Sequence, residues 1–237
     1  MKNFFAILGG MGTLATTNFL NEMNRRYHPD SDQGYLNYLL FNHATIPDRT
    51  QYILKKSVDN PAVSLIEDIR QVEPLKPDFM VIPCNTAHYF FEDLQAATDI
   101  PIVNMLDLVG RQLKILGSGK KVGLFATAGT AQSGLYEKVA KEAGWDLIVP
   151  DEALQKKITQ LIYDDVKVRA TANLELYENI LQSFKDMGAE TTILGCTEVS
   201  YVNSQDELKR FNIIDAEKLL VSETVKLGIR SQKEKKV

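Results

Sequence analysis

The chain has 237 residues, 44% hydrophobic and 24% charged, with 27 basic against 31 acidic side chains, the balance of a soluble protein built as one large or two small α/β units. A net charge of −4 offers no basic field to nucleic acid, and no apolar stretch approaches the ~20 residues that a membrane helix needs. Phe4–Leu8 runs straight into Gly9-Gly-Met-Gly12 rather than into a leader-cleavage site, so the expected compartment is the cytoplasm, where two cysteines stay free thiols.

Taken in chain order, short apolar runs at 3–8, 36–41, 78–82, 101–103, 121–126, 146–149, 190–194 and 212–214 read as strands. Longer segments with helical spacing fall at 14–27, 61–73, 87–97, 105–116, 131–143, 152–166, 171–187 and 215–228. In the first of these, Phe19, Met23 and Tyr27 recur every fourth residue and share one face, with Leu20 beside them. Strand–helix alternation of this kind predicts parallel sheets covered by helices on both faces.

The pattern is stated twice. Phe4-Phe-Ala-Ile-Leu-Gly-Gly-Met-Gly-Thr13 opens one half and Lys121-Val-Gly-Leu-Phe-Ala-Thr-Ala-Gly-Thr130 opens the other, after the turn at Gly117-Ser-Gly119. The spacing suggests two α/β domains related by a pseudo-twofold, with the boundary near 105–118. The first is expected over 1–105, completed by a returning segment at about 210–230. The second is expected over 106–209, and 231–237, with its Lys233-Glu-Lys-Lys236 cluster, as a flexible tail. Open parallel sheets bind ligands beyond the carboxyl ends of their strands. Two such sheets facing one another would bring five strand ends to one cleft.

The chain's two cysteines occupy matched strand ends, in Pro83-Cys-Asn-Thr-Ala-His88 and Gly195-Cys-Thr-Glu-Val-Ser200. A lone cysteine is usually a small buried hydrophobe. A pair in equivalent places suggests two acid/base groups facing one reacting atom, each at a helix start whose N–H groups favour thiolate. Asn85, Thr86 and Thr197 follow them and offer donors for a developing negative charge. Glu198, two residues past Cys196, could tune that thiol or simply serve the helix N-terminus. Gly10-Met-Gly-Thr-Leu-Ala15 matches a dinucleotide fingerprint, but the second strand ends in Asn42, without the acidic residue that holds a ribose. That loop is therefore read as a small-anion cradle or substrate wall. Arg49, beside Asp48 in a strand-end loop, suits either a bidentate carboxylate grip or a surface ion pair. Lys167 ends a helical run, where a cation complements the dipole. His28, His43 and His88 lack metal-ligand spacing, so no metal site is expected. His88 reads as a satisfied structural histidine.

These motifs, with Ile7-Leu-Gly-Gly-Met-Gly12, Ile46-Pro-Asp-Arg-Thr50, Ala126-Thr-Ala-Gly-Thr130 and the run from Ile162 to Lys167, fall in order along nearly the whole chain. Together they resemble the aspartate/glutamate racemase family, in its branch of aspartate racemases that work without pyridoxal phosphate. The resemblance implies two Rossmann-like three-layer domains with the active site between them. It implies Cys84 and Cys196 as the catalytic acid/base pair and Arg49 and Lys167 as a clamp on the distal carboxylate. It places Met11, Asn85, Thr86, Ala87, Thr127, Thr130 and Thr197 around an acidic amino-acid substrate. It further implies no cofactor and a homodimer, with Cys84 taking the proton from the D enantiomer. Family members commonly carry proline where this chain has Thr13, a residue suited to capping the helix. Other readings compatible with a cysteine in such a cleft are a maleate isomerase, a decarboxylase, a cysteine hydrolase or a silent dicarboxylate-binding protein.

Overall fold

A computed structural model describes residues 2–234. In the first half, β1 (Phe4–Gly9), β2 (Asn37–Asn42) and β3 (Met80–Val81) form a parallel sheet in the order β2-β1-β3. The helices around it are α1 (Thr13–Arg26), α2 (Arg49–Ile53), α3 (Pro61–Val72), α4 (Phe91–Ala96) and α5 (Met105–Leu116). In the second half, β4 (Lys120–Ala126), β5 (Trp145–Ile148), β6 (Thr191–Gly195) and β7 (Ile213–Asp215) form a parallel sheet in the order β5-β4-β6-β7. Its helices are α6 (Ala128–Gln132), α7 (Leu135–Glu142), α8 (Glu152–Thr159), α9 (Leu174–Asp186) and α10 (Thr197–Gln205), followed by α11 (Ala216–Glu234). Among the described residues no helix is long and apolar enough to cross a membrane.

Several helix starts lie where polar side chains accept from the orphan N–H groups of the first turn. Asn60 accepts from Ala62, Asn104 from Leu106, Asp151 from Leu154 and Asn173 from Leu176, all through backbone N–H groups. Thr13 does not cap α1. It stands at the first helical position, and Gly12 is the cap residue, with no side chain to offer.

Several expected elements differ. The strand at 78–82 shortens to two residues because Pro83 lacks an N–H, and 101–103 contributes a single bridge, Met80 to Ile102. The helix at 131–143 starts earlier and breaks into α6 and α7 at Gly134, whose φ is +75°. The helix at 152–166 becomes α8 followed by a π-helix, Gln160–Val168. The segment expected at about 210–230 to complete the first domain divides. Its strand, β7, pairs with β6 in the second sheet, whereas α11 packs on α1 and α5. Residues 231–234, expected as flexible tail, continue α11; 235–237 lie outside the described residues.

One buried cluster joins the halves. It includes Phe5, Ile7 and Phe19 of the first, Leu124 and Ile193 of the second, and Leu220 and Val221 of α11. Separate clusters fill the outer faces, with Cys84 in one and Cys196 in the other. The halves therefore share a central helical layer, and the carboxyl ends of their strands open onto the gap beside it.

Candidate active site

Cys84 follows β3 through Ile82 and Pro83, and Cys196 is the cap residue of α10 directly after β6. Both are buried and free. Both wall one cavity between the halves. The first half contributes Met11, Asp48, Arg49, Thr50, Asn85 and Thr86, and the second contributes Tyr163, Lys167, Thr197 and Glu198. The cavity measures only about 10 Å³, room for about one water. Among the described residues no group of three His, Cys, Asp or Glu side chains is arranged to hold a metal ion.

The Cys196 thiol donates to Glu198 Oε2 at 3.0 Å. Burial pushes this thiol well above its ordinary range, and the Glu198 carboxylate pushes it further, against the pull of the Lys167 ammonium. Glu198 is itself buried, with Oε1 at 3.4 Å from Lys167 Nζ and the Thr197 hydroxyl donating to Oε2 at 3.4 Å. Burial alone would lower the Lys167 pKa, but Glu198 and Cys196 outweigh it and hold the ammonium above its usual value.

Lys167 reaches the cavity from the π-helix, in which Arg169 N–H bonds back five residues to the Asp164 carbonyl. Such i→i−5 bonds insert an extra residue into a turn and recur at functional sites. Lys167 Nζ lies 4.9 Å from the ring centroid of Tyr163, on the same π-helix. Burial raises the Tyr163 phenol to about 12, against the nearby Lys167 charge, and its hydroxyl donates to Asp48 at 3.3 Å across the cleft.

Arg49 does not form the Asp48 ion pair considered from sequence. Its guanidinium donates to the carbonyls of Ile46, Pro47 and Met11 at 3.3, 3.0 and 2.9 Å. Its buried Nε has no hydrogen-bond partner. Asp48 instead caps α2 through Gln51 N–H. Burial lowers the Arg49 pKa, but Cys84, Asp48, Glu198 and Tyr163 together raise it.

Asn85 Oδ1 accepts from the buried Tyr136 hydroxyl, while Asn85 Nδ2 is buried without a partner. Ala87, Thr127 and Thr130 lie outside the cavity lining. Thr127 and Thr130 stand behind Thr86, their hydroxyls 3.2 and 2.9 Å from its own, so this cluster bridges the halves. His88 is structural: Met105 N–H donates to its Nε2 at 3.1 Å, which leaves Nδ1 to donate to the Cys84 carbonyl at 2.9 Å. Burial lowers its pKa and favours the neutral ring. In the glycine loop, Gly10 N–H is taken by the Thr16 hydroxyl at 3.0 Å, and a Cβ on Gly12 would sit 3.3 Å from Glu198 Oε1. The loop thus seats α1 against Glu198.

Sequence reasoning missed Asp48, Thr50 and Tyr163 as cavity residues. The first two sat in the same run as Arg49, and Tyr163 lies four residues before Lys167, a spacing that shares a helix face.

The sequence profile of the Asp/Glu/hydantoin racemases matches residues 8–224. The broad specificity amino-acid racemase RacX of Bacillus subtilis (strain 168) is 28% identical over 233 residues, covering 92% of this chain and 95% of its own. Among solved structures, Picrophilus torridus aspartate racemase superposes with a TM-score of 0.85 at 27% identity, covering 96% of this chain and 94% of that one. The glutamate racemase isoform RacE1 of Bacillus anthracis, at 17% identity, shares the fold with a TM-score of 0.65, over 99% of this chain and 83% of its own.

Proposed function

The chain belongs to the Asp/Glu/hydantoin racemase family, and we propose that it racemises acidic amino acids, aspartate foremost and glutamate also, with Cys84 and Cys196 as opposed acid and base. The observation that carries this reading is one buried cavity walled by both thiols together with Arg49 and Lys167. The full-length likeness to an aspartate racemase supports the choice of substrate.

In the reading, Cys84 as thiolate takes the α-proton on one face and Cys196 as thiol gives its proton to the other. The balance is one proton taken and one given, leaving Cys84 as thiol and Cys196 as thiolate. The reverse reaction uses them in the opposite sense. An α-proton beside a carboxylate is much less acidic than a thiol, and each pKa unit of mismatch is worth about 1.36 kcal/mol. The orphaned donors Asn85 Nδ2 and Arg49 Nε are the groups we assign to the enediolate charge, in a site whose closure excludes water. A cavity with room for one water admits an amino acid only after the halves part.

We read the reaction as independent of pyridoxal phosphate. Lys167, the lysine at the cavity, is held as an ion-paired ammonium and so is not a ready Schiff-base nucleophile. The two free thiols fit a reducing cytoplasm, and the family resemblance supports a homodimer.

The test is racemisation of L-aspartate followed by chiral chromatography, with deuterium uptake at Cα in heavy water. Loss of optical activity with one Cα deuterium per turnover is expected. Release of carbon dioxide would replace the reading with a decarboxylase, and inertness on aspartate with conversion of maleate to fumarate would replace it with an isomerase. Cys84→Ala and Cys196→Ala should each lose about 10²- to 10⁴-fold in rate while still binding aspartate; a single mutant with normal turnover would overturn the two-thiol scheme.

A further inference from the structure

Glu198 is the one carboxylate that touches both a thiol and a cation in the cavity. Oε2 accepts the Cys196 proton at 3.0 Å, and Oε1 lies 3.4 Å from Lys167. Oε1 is buried and makes no hydrogen bond, because the ammonium is close in distance but not aligned. A buried anion beside a thiol opposes thiolate formation, and the same anion beside Lys167 occupies the place a substrate carboxylate would take. The cation of the expected clamp is thus already paired, to a resident carboxylate of the protein.

We propose that Glu198 is the positioning residue of the site: it holds the proton on Cys196 in the empty enzyme and yields Lys167 to the side-chain carboxylate of an entering dicarboxylic amino acid. This rests on the racemase reading and names what sets its acidic substrate class. The exchange swaps one ion pair for another and needs no change in charge on Lys167. Glu198 keeps the thiol and the Thr197 hydroxyl when the ammonium leaves. A resident competitor weakens apparent substrate affinity by the fraction of enzyme in which it holds the cation. The other ionisable groups coupled to Glu198 are Arg49 of α2 and Glu217 of α11, and Cys196 also faces Tyr136 of α7 and Tyr163 of the π-helix.

The test uses Cys84→Ala enzyme, in which Cys196 is the only cysteine, and follows its alkylation by iodoacetamide against pH by mass spectrometry. Adding Glu198→Gln should move the profile to lower pH, with alkylation near neutrality about tenfold faster if the midpoint falls by one pH unit. Adding Lys167→Met instead should move it to higher pH, a comparison that stands even where the Gln variant folds poorly. Profiles that coincide, or that move in the same direction in both variants, would overturn the proposal. In the otherwise wild-type enzyme, calorimetry should show Glu198→Gln binding L-aspartate several-fold tighter and L-asparagine no tighter. Equal changes for both ligands would equally overturn it. Neither readout needs turnover, so failure of the racemase reading would appear separately, as an enzyme that shows both effects and racemises nothing.

Discussion

Glu217 is 1% exposed; it accepts from Asn18 Nδ2 at 2.7 Å and leaves its other oxygen buried without a partner. Burial raises its pKa well above 4.5, and the neighbouring Asp215 raises it further. The folded protein therefore keeps a proton that the unfolded chain releases near its ordinary carboxyl pKa, so the contribution to stability is full below about pH 4.5 and declines as pH rises towards the folded value. Glu217→Gln copies the protonated form and keeps the Asn18 bond. It should unfold at the same temperature as wild type at pH 4 and at a higher one at pH 7.5. Parallel melting curves at both values would mean that Glu217 is ionised in the fold. Within Ile213-Ile-Asp-Ala-Glu217 only Asp215 hints at this state, because burial in the assembled fold is its main cause and the Asn18 bond works against it. The thiols were legible as cavity residues because each stood in a distinctive local motif, whereas Arg49 and Lys167 were drawn to the cavity only by the family resemblance. Tyr163 was not, since an aromatic at helical spacing reads as core.

At the scale of elements, the π-helix is the departure from sequence with chemical consequence. Tyr163 supports Lys167 in two separable ways, through its ring beneath the ammonium and through its hydroxyl on Asp48. A cation over a desolvated ring is worth about 0.5–2 kcal/mol, whereas the 3.3 Å hydroxyl contact is long. Tyr163→Phe should therefore keep kcat/KM for aspartate within about tenfold, by that comparison, and Tyr163→Ala should lose clearly more. Equal losses would place the hydroxyl itself in the reaction. Hydrophobic spacing located most helices and strands. It gave no sign of the π-helix, whose i→i−5 bonds leave the same residues apolar and polar as an α-helix would. The break at Gly134 was equally silent, since a glycine inside a helical pattern is often tolerated.

For the whole molecule, the question is how the halves meet. β7 was misassigned because a three-residue strand carries no record of which sheet it joins; β6 and α11 decide it. The seam was hidden for a similar reason, since threonines at strand ends read equally well as substrate ligands. In the structure Thr86, Thr127 and Thr130 clasp one half to the other. Next to them, α6 of the second half lies on α2 of the first, so close that a Cβ on Gly129 would meet Thr50 Cα at 2.8 Å and its hydroxyl at 2.9 Å. A backbone atom cannot swing aside, so Gly129→Ala holds the seam open. If closure is what excludes water and brings both sulfurs to one substrate, kcat/KM should fall by about tenfold or more, a barrier increase of about 1.4 kcal/mol, with a melting temperature lowered only by the local misfit. Gly110→Ala is the control. It lies on α5, where the added methyl would sit at an ordinary 3.4 Å from Val139 Cγ1, and it should leave turnover unchanged while raising stability by about 0.4–1 kcal/mol. Wild-type rates in Gly129→Ala would show that racemisation does not depend on this contact closing, and the one-water cavity would then describe a packing preference of the empty enzyme rather than the shape in which it works.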